Sequence, residues 1–441
     1  MPARSGRSTG TSTERRPRTG GVDVYLFPAV VGGGLGDIEE VLAAGRYLAR
    51  AGIPLVLYRE AHHALPPSVD GPWEWPPVER RSSIAPRARA AVTVAPSWGV
   101  SAGPSRPTRF GRGGPWEAEA RSVEQAYGPD RTLHLSLEEF ARTLPSRVET
   151  RERLREGGVP SRALGPRLRA AEAANEVVAF RSAFREFRGF DRPNVLHLFA
   201  TFRPDRAFGR EFPEAVQTGP LGSGRRAIPT SGRRRTRGPR EWVWYASPSS
   251  AERIAPAVLR GLSGVRPPVH LFVRSPRPWP SIAGSAGVRL VSSPIPPSAW
   301  RSRFRRAELR IVTGSRTLIE AMEVDGPFLY FNGVLGRGSA HRQHRPEKVR
   351  AWIDLARRSG VSRGLRTDIA DFARGRRVAE VVRKAARHEG GWAHFPSSLP
   401  PIGFPETRSD AGRVLVAVAR EMARPGARSP DIVARWRRSN P

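Results

Sequence analysis

A buried strand, a tight polar turn, a helix and a second buried strand follow one another between Ala307 and Leu335, in AELRIVTGSRTLIEAMEVDGPFLYFNGVL. Leu309 to Thr313 is short, apolar and rich in β-branched residues, which reads as an interior strand. Gly314-Ser315-Arg316-Thr317 is a small polar turn, Leu318 to Met322 opens a helix, and Pro327 to Phe331 is the next buried strand. This is the repeating unit of a parallel α/β sheet. Its turn aims backbone N–H groups and a helix N-terminus at whatever sits above the strand ends, a setting that suits a phosphate. Ser315 and Thr317 add hydroxyl donors, and Glu320, about one helical turn further in, places a carboxylate where a ribose could donate to it. An ordinary α/β turn with a surface glutamate accounts for this window equally well, so the rest of the chain has to decide.

The same grammar opens the chain. Val22 to Val31 reads as a strand, GGGLGD follows, and IEEVLAAGRYLARAG reads as a helix stopped by Gly52 before the strand Ile53 to Tyr58. Gly32 and Gly34 match the first two glycines of a dinucleotide fingerprint. Asp37 stands where the third belongs and would repel a pyrophosphate, and the lysine of a Walker loop is missing. Asp37 therefore reads either as a helix cap or as a general base with a raised pKa. Further strands are expected at Ala91 to Pro96, Asn194 to Ala200, Glu241 to Ser247, His270 to Arg274 and Val288 to Ser292. Helices are expected at Ser136 to Arg142, Arg147 to Gly157, Ala163 to Phe187, Ala251 to Leu262, Pro297 to Arg306, Glu347 to Arg358 and Ile369 to Arg387, with a final one at Ser409 to Met422. Residues 61 to 130 otherwise read as irregular. His197 reads as a satisfied core histidine, and His62, His63 and the HRQH run at 341–344 lack the carboxylate or third ligand that a metal site needs.

Composition bounds the function classes. The 441 residues allow two domains with sizeable cores. There is no cysteine, so disulfides and thiolate-held metals are excluded. No apolar run approaches the roughly 20 residues of a membrane span, and the basic start of the chain lacks the apolar segment of a secretory signal. The formal net charge is +33, carried almost wholly by arginine, since Lys348 and Lys384 are the only lysines. Arginine rises together with Ala, Gly and Pro, so compositional bias accounts for most of the charge; any remainder would reflect an anionic partner such as an acidic membrane surface. No nucleic-acid-binding motif accompanies it, and nucleic acid is not the expected partner.

Five motifs, in this order, resemble GT-B glycosyltransferases, in particular the type that includes the lipid-linked N-acetylglucosaminyltransferases. Gly33-Gly34-Leu35-Gly36-Asp37 with Leu48-Ala49-Arg50-Ala51-Gly52 resembles the family's "GG.GH" loop and "a..LA..G" helix, with Asp37 in place of His. Val216-Gln217-Thr218-Gly219-Pro220 resembles the "v.vTGnP" end of the first domain. The strand WVWYA with Ser247-Pro248-Ser249-Ser250 is similar to the serine loop that opens the donor domain. Gly314, Ser315, Thr317, Leu318, Glu320 and Ala321 resemble "sG.sTl.EA", and Gln343 with His344 stands where a polar sugar-binding loop is found.

The resemblance implies an α/β fold of two Rossmann-like, doubly wound parallel-sheet domains facing a cleft. The boundaries read as a disordered basic tail at 1–20, an acceptor domain at 21–221, a basic flexible linker at 222–240, a donor domain at 241–390, and a C-terminal extension at 391–441 whose helix crosses back to the first domain. It implies transfer of a sugar from a nucleoside-diphosphate sugar, UDP-linked by preference, to an acceptor that is lipid-linked in some relatives. Asp37 would be the base; Ser247, Ser249, Ser250, Arg274, Gly314, Ser315 and Thr317 would hold the diphosphate, Glu320 the ribose, and Asn332, Gln343 and His344 the sugar. Gly32, Gly33, Gly34 and Gly36 would form the glycine loop. No cofactor or metal is required in this reading, and the expected place of work is cytoplasmic, at the inner membrane face where the acceptor is a lipid. The rivals are an epimerase or hydrolase of nucleotide sugars, a transferase fold that has lost activity, and a non-catalytic basic protein that binds acidic membrane or nucleic acid.

Overall fold

The computed structural model describes residues 21–28, 36–58, 76–81, 83–96, 115–138, 192–200, 215–222, 240–245, 248–263, 265, 269–274, 288–291, 297–324, 326–331, 352–353, 355–357, 359–392, 395 and 411–438. The strands β1 (Val22–Leu26), β2 (Leu55–Tyr58), β3 (Glu79–Arg81), β4 (Ala90–Pro96), β5 (Thr132–Glu138), β6 (Val195–Ala200) and β7 (Ala215–Thr218) form one sheet. Its order is β3-β2-β1-β4-β5-β6-β7. A second sheet holds β8 (Arg240–Tyr245), β9 (Val269–Arg274), β10 (Val288–Val291), β11 (Leu309–Val312) and β12 (Phe328–Tyr330), in the order β10-β9-β8-β11-β12. Every strand pair is parallel. Two doubly wound parallel sheets are thus present, the architecture expected from the strand–turn–helix repeats.

The helices are α1 (Gly36–Arg50), α2 (Pro115–Tyr127), α3 (Pro248–Leu262), α4 (Pro297–Arg306), α5 (Ser315–Met322), α6 (Arg363–Ala373), α7 (Val378–Ala386), α8 (Ala411–Met422) and α9 (Ser429–Arg438). A parallel sheet must be covered on both faces, which is why its strands read as continuous apolar runs. All seven residues of β4 are buried, for example. The core of the second sheet is aromatic: Phe328 lies 5.3 Å from the rings of both Trp352 and Phe395. Inside it, the fully buried Arg310 donates from Nε to Phe304 O at 2.6 Å and from Nη2 to Arg305 O at 3.1 Å. These are terminal carbonyls of α4, and a cation at a helix C-terminus is favourably placed.

The last two helices return to the first sheet. Ala411, Val414, Leu415 and Val418 of α8 join the core that contains Val24, Val41 and Val92, and α9 packs against β5, β6 and β7. Gly412 makes the approach possible, because a Cβ there would lie 2.4 Å from the Tyr47 ring of α1.

The structure corrects several expected elements. β1 stops at Leu26 and the ladder adds only Phe27 N–H to Val94 O, because Pro28 has no N–H to donate. The region read as irregular contains β3 and α2. Ser136 to Glu138 is strand, not helix: in TLHLSLE the leucines alternate with polar residues, the period of a strand. The expected single helix from Ile369 to Arg387 is two, α6 and α7, broken where Gly375 and Arg377 take positive φ of 71° and 48°. α9 follows the helix expected to be last. The helices expected at Arg147–Gly157 and Ala163–Phe187 lie outside the described residues, as do the N-terminal tail and all of the linker except Gly222 and Arg240, the latter already in β8.

The polar side of β5 is held by partners distant in sequence. His134, fully buried, meets Thr93 Oγ1 at 2.7 Å through Nδ1 and Glu124 Oε2 at 2.7 Å through Nε2. Arg192 and Asn194 also donate to Glu124. Burial pushes the His134 imidazole below its ordinary value near 6.5. The bond from His134, together with Arg192, holds Glu124 down at about 2.

Both shifts act in one direction. Below pH 6.5 the unfolded chain takes up a proton that folded His134 refuses, and below about pH 4.5 the unfolded Glu124 does the same until the folded carboxyl titrates near 2. Stability measured by urea unfolding is therefore expected to fall from pH 6.5 downward, and His134→Gln to flatten the upper part of that limb. At the C-terminal dock, Gly412→Val is expected to lower the urea midpoint by the equivalent of about 2 kcal/mol, through forced overpacking against Tyr47.

Candidate functional site

In a doubly wound sheet the crevice for a ligand opens where strand order reverses. In the second sheet the chain runs β8, β9, β10 outward to one side, then returns to place β11 and β12 on the other. The reversal lies between β8 and β11, which pair directly. Both strands run into helices, α3 at Pro248 and α5 at Ser315, so two helix N-termini stand side by side at the same edge. Thr313 Oγ1, just past β11, donates to Tyr245 O at the end of β8 at 2.9 Å and ties the two turns together. Tyr245 pairs in register with Arg274, the last residue of β9, so Arg274 reaches the same edge.

The helices begin earlier than the sequence suggests. Pro248 suits a first helical position, so Ser249 and Ser250 belong to the first turn of α3. Ser315 opens α5, and Gly314 before it is extended, with φ −99° and ψ 157°. The Thr317 hydroxyl accepts from Gly314 N–H at 3.1 Å and donates to Gly314 O at 3.0 Å. This hydroxyl locks the turn. Ser247, Asn332, Gln343 and His344 lie outside the described residues, as do Gly32, Gly33 and Gly34. Among the described residues no cluster of His, Asp and Glu is arranged to hold a metal ion, and no helix is long and apolar enough to cross a membrane.

The first sheet repeats the pattern. Its order reverses between β1 and β4, and the turn after β1 leads into α1, with Gly36 and Asp37 in the first turn of that helix. α1 packs against α5 of the other domain. The turns singled out in the two halves of the chain are therefore brought to one boundary.

Buried charge holds that boundary. Arg316 of α5 donates from Nη1 to Leu221 O, just past β7 of the first sheet, at 2.7 Å. Its Nε lies 3.8 Å from Glu320 Oε1, one helical turn on. Burial alone would lower the guanidinium's pKa, but Glu320, Glu323, Glu39 and Glu40 reverse the effect and hold it raised. Glu39 of α1 pairs with Arg301 of α4 across the boundary and with Arg46 at 3.3 Å. At Gly222 a Cβ would meet Glu323 Oε1 at 2.5 Å and the Tyr47 hydroxyl at 2.9 Å, so any side chain there would have to displace the ends of both. Glu320 is half of a buried ion pair at this boundary, with 16% of its side chain exposed.

The sequence reading passed over Arg316, Glu39 and Arg301. The one local signal was the i,i+4 spacing of Arg316 and Glu320 on α5. The partners in α1, α4 and at Leu221 are remote in sequence and carry no such mark.

No family model matches the chain, and no curated protein matches it. Solved structures that resemble it are glycosyltransferases. Phytolacca americana UGT2, complexed with UDP-2fluoro-glucose and pterostilbene, is 11% identical over 94% of this chain and 99% of its own, with a TM-score of 0.44. LpCGTa in complex with UDP is 13% identical over 94% and 99%, also at 0.44. Acinetobacter baumannii MurG is 11% identical over 86% and 98%, at 0.36. Likenesses this distant carry no residue-level correspondence.

Removing Arg316 while its carboxylates stay buried should be costly. Arg316→Met is expected to lose about 3 kcal/mol in urea unfolding, the scale of a broken buried ion pair, and Glu320→Gln distinctly less, because Leu221 O keeps its donor.

Proposed function

We propose that the protein transfers a sugar from a nucleoside-diphosphate sugar, UDP-linked by preference, to an acceptor held by the first domain, in the manner of a GT-B glycosyltransferase. The observation that carries this is the pairing of two helix N-termini at the carboxyl ends of β8 and β11, at the strand-order reversal. Oriented N–H groups there favour a diphosphate.

In this reading the amides of the first turns of α3 and α5, with Ser247, Ser249, Ser250 and Ser315, receive the diphosphate, and Arg274 balances its charge. Gly314 and Thr317 keep the α5 turn in shape, and Glu320, steadied by Arg316, accepts from the ribose. Asn332, Gln343 and His344 would face the sugar, and Gly32, Gly33, Gly34 and Gly36 would let the acceptor-side loop approach closely. The bond from the anomeric carbon to the diphosphate oxygen breaks as the acceptor oxygen bonds to that carbon. Asp37 takes the acceptor proton, and the diphosphate leaves with the electron pair. Charge developing on the leaving group is met by fixed dipoles and Arg274, the kind of preorganised stabilisation that lowers such barriers.

A thermal-stability panel with UDP, GDP, dTDP, CMP and ADP tests the donor site. One diphosphate at 100 times its Kd is expected to add about 2.7 kcal/mol of stability, reduced in Glu320→Gln. Asp37→Asn is expected to keep that shift and lose turnover, read as release of the nucleoside diphosphate. A flat panel overturns the reading. Nucleotide release at full rate without any acceptor would make the protein a nucleotide-sugar hydrolase.

A further inference from the structure

We infer that the outer face of α6 carries a second anion site, apart from the candidate donor turns, that takes a phosphate-bearing ligand. α6 buries Leu365, Asp368, Ile369, Asp371, Phe372 and Ala373. Its other side sets Arg363, Arg366, Thr367 and Ala370 along one stripe, with Arg374 just past its end. These residues, with Arg357 from the preceding segment and Arg376 from the following turn, line an open concavity of about 440 Å³, a size that suits a small ligand. Thr317 and Glu320, described residues of the donor turn, do not line it.

Among the described residues that line the concavity, five arginines thus converge with one carboxylate, Asp371. That carboxylate is already engaged by Arg376 at 2.7 Å and Arg377 at 3.2 Å. Among the described residues Arg363, Arg366 and Arg374 make no ion pair and no side-chain hydrogen bond. Close by, the cations of the turn and of α7 are matched: Arg377 pairs with Glu380, and Lys384 with Asp368 at 3.1 Å and Glu380 at 3.2 Å.

Arg363 and Arg366 also stand in the first turns of α6, which holds no acidic residue in its first turn. The positive end of a helix disfavours cations. Crowded guanidinium groups at that end repel one another and the dipole, and a bound anion relieves both. Phosphate fits best, because the guanidinium fork matches its oxygens two at a time. The phosphate can belong to a soluble diphosphate or to a lipid headgroup.

The test uses the full chain, with inorganic pyrophosphate in calorimetry and with phosphatidylglycerol-containing against pure phosphatidylcholine vesicles in flotation, at near-physiological salt. The triple variant Arg363→Gln, Arg366→Gln, Arg374→Gln is compared with a charge-matched triple at the exposed Arg260, Arg383 and Arg420. The site triple is expected to weaken binding about tenfold or more through lost charge-assisted hydrogen bonds, with the matched triple close to wild type. Loss confined to pyrophosphate assigns a soluble ligand, and loss confined to anionic vesicles assigns a headgroup. Equal loss in both triples, or no binding of either probe by the wild type, overturns the site. Matching thermal midpoints establish that the variants fold, and Arg363→Gln alone repeats the comparison if the triple does not.

Discussion

Parallel pairing is the constraint on which this structure rests. A strand in a parallel sheet cannot reach its neighbour by a tight turn, so each pair demands a crossover that covers a face of the sheet. Every strand leaves at the same edge, and every helix that follows a strand begins there. In the first sheet the chain returns and places β4 on the other side of β1; the second sheet does the same with β11 beside β8. At each reversal two crossovers diverge to opposite faces and leave a crevice. The polar turns that stand out in the sequence sit at these two places, where a helix N-terminus meets a gap in the covering layer.

The two crevices become one locus because α1 and α5 meet. The contact is not an apolar seam. Arg316 gives up most of its hydration to bond Leu221 O, and four carboxylates compensate its charge. Buried ion pairs are weak sources of net stability, since desolvation offsets much of the attraction. What they supply is register: a guanidinium with one carbonyl at 2.7 Å tolerates little sliding. Glu39, shared between Arg301 of the other domain and Arg46 of its own helix, is a second fixed point. Glu320 therefore serves the boundary as well as the candidate ribose position, and occupancy at the donor turn would be felt at the contact between domains.

Much of this was legible in the sequence, and the gaps have definite causes. A continuous apolar run such as WVWYA announced β8, since a strand covered on both faces has no polar side to confuse the period. TLHLSLE failed that test because His134 and Ser136 are polar and yet buried. They are tolerated there because Thr93 and Glu124 reach His134 from elements far away in sequence. The break between α6 and α7 turned on Gly375, whose positive φ is invisible until packing demands it. At the candidate site the turns could be read one at a time, but their adjacency could not, because strand order is not written locally. Thr317 shows the same limit: a hydroxyl in a phosphate-type turn looks like a ligand donor, and here it closes on Gly314.

The arginine content takes on different meanings from place to place. A net charge of +33 says little by itself about where the cations act. Where cations are partnered they are placed: Arg310 on the terminal carbonyls of α4, Arg316 among carboxylates, the part-exposed Arg192 on Glu124. Each lies where a negative potential already exists. At the α6 cavity Arg363 and Arg366 depart from that rule, since they stand at the positive end of the helix. Compositional bias supplies arginines without regard to position, so it explains their number. Convergence on one concavity, around a carboxylate already taken, is a statement about position, and it is position that a ligand reads.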